Sequence, residues 1–475
     1  MNMKATVTTQ EQTLDEAFES LQYVFRNEPW PEYQVRAVWL RKLKENLLNN
    51  QEQLCQALNE DYGYRSEFDS LLADILPSIQ QLNYTLKNLK QWMKPSARHA
   101  GLLLFPSSVK VHYQPVGVVG VIVPWNFPVF LSLGPVITAL AAGNRVMVKM
   151  SEFTPATNRA MQAIFAGMEN QIILVEGDSH IAAQFSALPF NHLFFTGSTQ
   201  VGKRVAQAAA KNLTPVTLEL GGKSPVIIAP DADIQSAVDN ILLGKCINAG
   251  QICVAPDYVF LPEGSENAFI ATYLQRYAEF YQQNNQSNQS GHIIDQRQIQ
   301  RLDRYLQDAV QKGAVRHQIQ NPIQADEGIG KGTQPCLLTG VNDNMLIMQE
   351  EIFGPILPVM TYQNVQQAFD YIRNRPRPLA LYLMSKNSQL IEQVIHQSYS
   401  GGVCINDTLV HVGAEDAPFG GTGESGIGHY HGHEGFKTFS HAKTIVSSFA
   451  WLSRNGIILK NRDLAVKLMK KVFLR

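Results

Sequence analysis

Two short segments carry residue types that could perform covalent chemistry on a carbonyl. Gly250-Gln251-Ile252-Cys253 sets a cysteine just past a glycine-bearing turn, and Leu218-Glu219-Leu220-Gly221-Gly222-Lys223 offers a carboxylate upstream of it. A thiolate can add to a carbonyl carbon, and a carboxylate can then activate water to release the product. A cysteine alone says little, because free cysteines are mostly small buried hydrophobes. The weight therefore falls on the segments around it.

Phe194-Phe195-Thr196-Gly197-Ser198-Thr199-Gln200-Val201-Gly202-Lys203 reads as strand, glycine turn and helix. A helix that begins after such a turn offers unpaired N–H groups to an anion, which suits a phosphate. The segment admits a P-loop-like nucleotide site, Gly197-x-x-x-x-Gly202-Lys203, although Arg204 stands where a magnesium-binding Ser or Thr belongs. It equally admits a dinucleotide site lacking the usual G-x-G-x-x-G, or a plain strand-to-helix turn. Val121-Ile122-Val123-Pro124-Trp125-Asn126-Phe127-Pro128 holds Asn126 between two prolines. Its amide could donate to a developing oxyanion, or serve only as a structural turn. Lys149 and Glu152 fall just past a strand end, where ligands of open α/β sheets sit; in isolation a solvated pair fits as well. Gln349-Glu350-Glu351-Ile352-Phe353-Gly354-Pro355 and Pro418-Phe419-Gly420-Gly421-Thr422-Gly423 each read, alone, as an ordinary turn.

The chain of 475 residues allows two or three domains at about 150 residues each. A net charge of −1, from 40 basic and 41 acidic residues, argues against nucleic acid as a partner. Cys55, Cys246, Cys253, Cys336 and Cys404 are scattered, with no C-x-x-C, so no disulfide framework or zinc site is expected. That usage points to a reducing, cytoplasmic compartment. The first residues are polar and unlike a secretory signal, and no apolar run is long enough for a membrane span.

Positioning these groups requires regular elements. Helical spacing marks Leu14 to Phe25, Gln34 to Leu58 and Leu71 to Trp92, and Lys110 to Gln114 alternates like a strand. From Val116 the pattern becomes β-α alternation, with strands at 116–123, 145–149, 172–175, 192–196, 216–220, 225–228 and 257–261. Helices are expected at 129–142, 201–212, 233–246 and 298–312, and Gln282 to Ser290 reads as an exposed connection. Strands separated by helices imply a parallel sheet covered on both faces.

In order and together, Asn126, Lys149-x-x-Glu152, Gly197-Ser198, Glu219-Leu-Gly-Gly, Gly250-Gln-x-Cys253, Glu351-Ile-Phe353-Gly-Pro and Pro418-Phe-Gly-Gly resemble the NAD(P)-dependent aldehyde dehydrogenase superfamily. Cys253-Val-Ala-Pro-Asp-Tyr258, Arg377-Pro-Leu-Ala-Leu-Tyr382 and His429-Tyr-His-Gly-His433-Glu-Gly-Phe436 resemble its class 3 branch. Cys404-Ile-Asn406-Asp407 with His411-Val412 is similar to its bacterial coniferyl-aldehyde dehydrogenase-like members.

The resemblance implies the α/β aldehyde dehydrogenase fold. A Rossmann-like parallel-sheet cofactor domain would span 1–90 and 114–220, and an α/β catalytic domain 221–412. A small β oligomerisation arm with the C-terminal tail would span 91–113 and 413–475. The implied reaction turns an aldehyde, aromatic such as coniferyl aldehyde or medium-to-long-chain aliphatic, into the acid. Cys253 would be the nucleophile, passing through a thiohemiacetal and a thioester. Asn126 and the Cys253 N–H would hold the oxyanion, and Glu219 would activate water. Lys149 and Glu152 would contact the adenosine ribose. Gly197, Ser198 and the helix start containing Gly202 would hold the pyrophosphate. Glu351 would grip the nicotinamide ribose, with Phe353 beside it. A carboxylate near the adenosine 2′ position favours NAD, with NADP as the alternative. Relatives of that branch imply a homodimer.

Two places depart from the family pattern. Met150 replaces the proline of Lys-Pro-Ser-Glu and is expected to loosen that turn. Ala414-Glu415-Asp416-Ala417 precedes Pro418 where relatives carry a bulkier apolar residue, which alters the substrate funnel. His429, His431 and His433 have a spacing that could bind zinc, but the resemblance covers that segment without a metal. The tail carries Lys460, Arg462, Lys467, Lys470, Lys471 and Arg475, with Leu464, Leu468 and Val472 on one helical face. It reads as a helix packed on the body or a sister subunit, or as one lying at a membrane surface. The rival functions are thus a P-loop-like nucleotide-binding protein and a fatty aldehyde dehydrogenase working at a membrane surface. Transfer of the thioester to coenzyme A is disfavoured because Glu219 is retained.

Overall fold

Runs of apolar, β-branched residues bounded by helices build the centre of the molecule. A computed structural model describes residues 13–281, 291–318 and 335–474, so the expected connection at 282–290 lies outside the described residues. Every residue of Val118–Ile122 and of Arg145–Lys149 is buried, as a parallel strand covered on both faces requires. These strands lie in a six-stranded sheet ordered Ile172–Val175, Arg145–Lys149, Val118–Ile122, His192–Gly197, Val216–Leu220 and Gly426–Ile427. The first five pair in parallel, and the last is antiparallel. Strand order reverses between Val118–Ile122 and His192–Gly197, which opens a crevice at the strand carboxyl ends.

A second, seven-stranded sheet is ordered Val315–His317, Cys336–Thr339, Ile356–Tyr362, Pro256–Pro262, Ser224–Ile228, Ala380–Met384 and Gly402–Ile405. All its pairings are parallel except that of the Val315–His317 edge. A third, antiparallel sheet joins Ser96–Arg98, Ser108–Pro115 and Ser440–Ser447. The short link from Val216–Leu220 to Ser224–Ile228 passes directly from the first sheet to the second. That link is Gly221-Gly222-Lys223, so Glu219 stands at the junction.

The helix Phe130–Ala142 is buried along its whole length and packs between the first sheet and the helices Tyr33–Asn49 and Leu76–Trp92. The expected helix at 34–58 is two helices, Tyr33–Asn49 and Gln51–Tyr62, because Asn50 leaves helical geometry at φ −117°. The expected helix at 71–92 begins with a π-helical turn, Leu71–Ile75, which turns Asp74 into the core.

Two expectations are corrected. Residues 413–439 do not join the arm: Gly426–Ile427 pairs with Val216–Leu220, and Tyr430, Phe436 and Phe439 are buried in the main core. The tail forms two helices, Arg454–Lys460 and Arg462–Val472, but no residue from Phe449 to Leu474 is buried, so it does not pack on the body. Among the described residues no helix is long and apolar enough to cross a membrane.

Candidate active site

The cysteine loop is bent by backbone geometry that few side chains tolerate. Asn248 and Ala249 adopt φ of 48° and 53°, and Gly250 follows at 71°. Left-handed non-glycine residues cost of order 1–3 kcal/mol each and persist only where their surroundings hold them. Here Asp69 accepts from the Asn248 N–H at 2.9 Å, and the Asn248 side chain donates to the Asn126 carbonyl at 2.9 Å. Gln251 accepts from the Ile294 N–H at 3.1 Å and donates to the His292 carbonyl at 3.0 Å. The loop thereby presents Cys253 at the sheet junction.

The turn carrying Asn126 is fastened to the same loop. Its amide nitrogen donates to the Gln251 carbonyl at 3.1 Å. Its own carbonyl accepts from Tyr62 and Arg65, both at 3.0 Å. Arg65 in turn pairs with Asp74 at 2.6 Å, both side chains fully buried, and Asp74 accepts the Val129 and Phe130 N–H groups. Burial depresses the Arg65 guanidinium most, but Asp74, Tyr62 and Asp69 together outweigh it and hold it above its ordinary value.

Glu219 is 4% exposed, and both its carboxyl oxygens lack a hydrogen-bond partner among the described residues. Burial pushes its carboxyl well above the ordinary value. Cys253 is half-buried, and its thiol is pushed up to about 12 by burial, then by the nearby Glu351 and Glu219. A nucleophile and two carboxyl groups thus share one site.

Glu351 rests on the Gly221-Gly222 link. A Cβ at Gly221 would come within 2.1 Å of Glu351 Oε2, so only glycine admits this approach. Burial, then Asp257, pushes the Glu351 carboxyl up to about 8, partly offset by the Gly222 N–H that donates to it. Its Oε1 has no partner among the described residues. Phe353 takes a left-handed φ of 47° and meets Trp125 edge-on at 5.3 Å. The strained loop is clamped by Arg301, which donates to the carbonyls of Glu351 at 3.0 Å and Ile352 at 2.8 Å. Lys245 donates to the Gly354 carbonyl at 2.9 Å, and Asp257 accepts from the Ile352 N–H at 2.9 Å.

At the far end of the crevice, Ser198 caps the helix Thr199–Ala210 by accepting from the Val201 N–H at 3.5 Å. Gly202 lies inside the first turn of that helix, where a Cβ would come within 2.6 Å of Leu220. It lets the helix lie close on the sheet. The P-loop reading of Gly197 to Lys203 is therefore overturned: the chain is already helical at Thr199 and leaves no loop to wrap a phosphate. Lys149 is 2% exposed and pairs with Glu152 at 3.2 Å. Burial lowers its ammonium, with Glu152, Asp178 and Glu176 pulling it back up. Met150 does not loosen its turn, because its N–H donates to the Val175 carbonyl at 3.0 Å, a bond that proline could not make. The three histidines diverge. His431 stacks on Phe419 at 5.5 Å, His433 on Trp92 at 6.0 Å, and His429 is exposed.

These residues fit a dinucleotide. A capped helix N-terminus, a buried lysine with carboxylates at the strand ends and an orphaned Glu351 oxygen line one crevice. A model of the aldehyde dehydrogenase family matches residues 3–445. The chain belongs to the aldehyde dehydrogenase family. It oxidises aldehydes to carboxylic acids with NAD(P). It is 46% identical over 464 residues to a probable coniferyl aldehyde dehydrogenase of Pseudomonas aeruginosa, covering 97% of this chain and 96% of that one. A coniferyl aldehyde dehydrogenase of another Pseudomonas strain is 45% identical over 406 residues, 84% of this chain and 83% of the relative. Among solved structures, substrate-bound Staphylococcus aureus AldH superposes with a TM-score of 0.89 at 36% identity, covering 96% of this chain and 99% of that chain.

Sequence reasoning missed the supports of this dehydrogenase's site. Arg65, Asp69 and Asp74 brace the Asn126 and Cys253 loops, and Arg301, Lys245 and Asp257 brace the Glu351 loop. The available signal was charge inside apolar-patterned stretches, since a charged residue is rarely buried without a partner.

Proposed function

We propose that this enzyme oxidises an aryl aldehyde of the coniferyl type, with Cys253 as nucleophile and Glu219 as general base. The observation that carries the assignment is Glu219: a buried, unpartnered carboxyl that shares its site with the Cys253 thiol. The aryl preference is supported by the names of the relatives and by the aromatic side chains of Phe130, Phe419 and Tyr430 near the site.

The steps follow from the side chains. The Cys253 thiol loses its proton to solvent, the thiolate sulfur bonds to the carbonyl carbon, and the C=O π pair moves to oxygen. That oxyanion takes hydrogen bonds from the Asn126 amide and the Cys253 N–H. Lys149, Glu152, Ser198 and Glu351 would hold NAD(P), which would supply the acceptor for the hydride that leaves the carbon as the oxyanion pair re-forms C=O. The Cys253 acyl thioester is then opened by water, whose proton goes to Glu219 as the C–S bond breaks. A raised carboxyl pKa makes Glu219 a stronger base once ionised. The carboxylates of Glu152, Glu176 and Asp178 around Lys149 oppose a 2′-phosphate and favour NAD.

Glu219→Gln tests the base. It is expected to form about one equivalent of NADH per site in a rapid burst and then to turn over slowly, with the acyl group found on Cys253 by mass spectrometry. Unchanged steady-state acid production would remove Glu219 from this role.

A second reading concerns location and assembly. The three-stranded sheet exposes most of Ser440–Ser447, an edge that a second copy can pair, so a homodimer is proposed and is tested by light scattering. In the helix Arg462–Val472, Leu464, Leu468, Met469 and Val472 are exposed on one side, with Lys470 opposite and Lys467 and Lys471 flanking. That pattern suits an anionic lipid surface. Sedimentation with phosphatidylglycerol vesicles that is lost on deleting residues 449–475 is the expected result.

A further inference from the structure

Outside the groups given roles above, two buried polar side chains with no partner, Glu415 and His431, gather with the half-buried His411, whose Nδ1 bonds Cys404 at 3.0 Å. Both carboxyl oxygens of Glu415, both ring nitrogens of His431 and Nε2 of His411 lack a hydrogen-bond partner among the described residues. His431 is 0% exposed and Glu415 9%. An unmade buried hydrogen bond is costly, so a set of them in one place points to a ligand rather than to stability.

The three belong to one cluster. The Phe419 ring stacks on His431 at 5.5 Å and lies 5.8 Å from His411. The backbone of Glu415 runs against Gly432, next to His431, so closely that a Cβ there would meet the Glu415 carbonyl at 2.4 Å. The cluster also adjoins the reacting centre. Tyr382 lies 6.1 Å from His411 and donates at 2.5 Å to the carbonyl of Val254, the residue after Cys253. Tyr430 lies 4.3 Å from His431 and within electrostatic reach of Glu219, Glu415 and Cys253. Tyr382 and Tyr430 therefore connect the unbonded groups to the neighbourhood of the Cys253 loop.

We propose that Glu415 and His431 bind a hydroxyl group carried on the ring of an aryl aldehyde, at the end of the substrate opposite its carbonyl. This rests on the aryl-aldehyde reading above and adds what recognises the ring. Burial pushes the Glu415 carboxyl up to about 8 and, with a contribution from His411, the His431 imidazole down to about 3, so both are neutral near pH 7. A neutral carboxyl and a neutral imidazole each offer one donor and one acceptor, as a hydroxyl does. Neither offers the positive charge that a carboxylate or phosphate ligand would need. Phe419 and Tyr430 beside them suit a flat ring. An aliphatic chain would leave all these polar atoms unmatched.

The test compares kcat/KM for 4-hydroxycinnamaldehyde and cinnamaldehyde in wild type, Glu415→Leu, Glu415→Gln and His431→Phe. Wild type is expected to favour the hydroxylated aldehyde by about tenfold or more, since sites built to bond a hydroxyl reject analogues lacking it. Glu415→Leu and His431→Phe are expected to bring the ratio to within about twofold, while Glu415→Gln, which still bonds, keeps part of it. A readout without turnover accompanies it: inhibition by 4-hydroxycinnamyl alcohol against cinnamyl alcohol, with the same ordering. Equal rates on both aldehydes in wild type overturn the subsite while leaving the aryl reading intact. Turnover of hexanal but of neither aryl aldehyde overturns the aryl reading and the subsite with it. A fall on both aldehydes in equal proportion, with a lowered melting temperature, assigns Glu415 and His431 a structural role and overturns the proposal.

Discussion

The side-chain nitrogen of Asn126 donates to the backbone carbonyl of Gln251 at 3.1 Å, which ties the amide to the loop that ends in Cys253. A primary amide carries two N–H donors. One is spent on Gln251, which fixes the plane of the amide, and the other remains for an oxyanion formed at Cys253. On the proposed mechanism the anchor and the oxyanion donor are the same group. Asn126→Ala is expected to lower kcat by about 100- to 1,000-fold, as loss of one oxyanion donor does elsewhere. Steady-state kinetics check it, and a kcat within about fivefold of wild type would rule out the donor role.

The free enzyme keeps Cys253 as a thiol. Burial first, then the Glu351 and Glu219 carboxyls, raises it to about 12. The thiolate, not the thiol, is the nucleophile. Alkylation of Cys253 by iodoacetamide without cofactor is therefore expected to rise about tenfold per pH unit between about pH 7 and 9. Peptide mass spectrometry separates it from the other cysteines. A plateau near neutral pH would show that the thiolate is already formed.

Gly221 serves Glu351 rather than the backbone. A methyl group there would meet Glu351 Oε2 at 2.1 Å and push the carboxyl from its seat on the Gly222 N–H. The carboxyl lies at the end of a flexible side chain, so the fold absorbs the change. Gly221→Ala is expected to raise KM for NAD about tenfold while kcat falls less. An unaltered KM would mean that Glu351 does not grip the cofactor.

Buried titrating groups set the pH of greatest stability. Burial raises Glu351 and Glu415 to about 8, and Glu219 well above the 4.5 at which such carboxyls ionise in the unfolded chain. Above pH 4.5 the folded protein retains protons that the unfolded chain has released, so these groups make stability fall with rising pH. Burial lowers His192 and His411 to about 4, and burial with His411 lowers His431 to about 3, against an unfolded 6.5. Below 6.5 they act in the opposite sense, because the unfolded chain takes up protons that the folded state refuses. The two sets, three groups against three, oppose each other from 4.5 to 6.5, and of these six only the carboxyls act from 6.5 to 8. The melting temperature of the cofactor-free enzyme is expected to change little from pH 4.5 to 6.5 and to fall from 6.5 toward 8, Glu351 and Glu415 each contributing roughly 1 kcal/mol per pH unit. Calorimetry across that range checks the sign, and rising stability would contradict it.

Most of the framework was legible in the chain itself. Apolar runs alternating with amphipathic helices specify a parallel sheet, because period and length alone decide which faces must be covered. Cys253, Glu219, Asn126 and the Glu351 loop stood out because glycines and prolines beside them mark backbone turns, and turns are local. What only the tertiary structure decided is what those turns touch. That Gly221 lies under Glu351, and that Met150 gains a bond to Val175, depends on chain segments far apart in sequence. The Arg65–Asp74 pair and the Arg301 clamp hold loops that their own sequences do not mention. Glu415 read as a loop residue until its burial beside His431 left both without partners. Spacing encodes periodicity, but burial and hydrogen-bond satisfaction are properties of three-dimensional neighbours, and these decide which polar groups brace the site and which await a ligand.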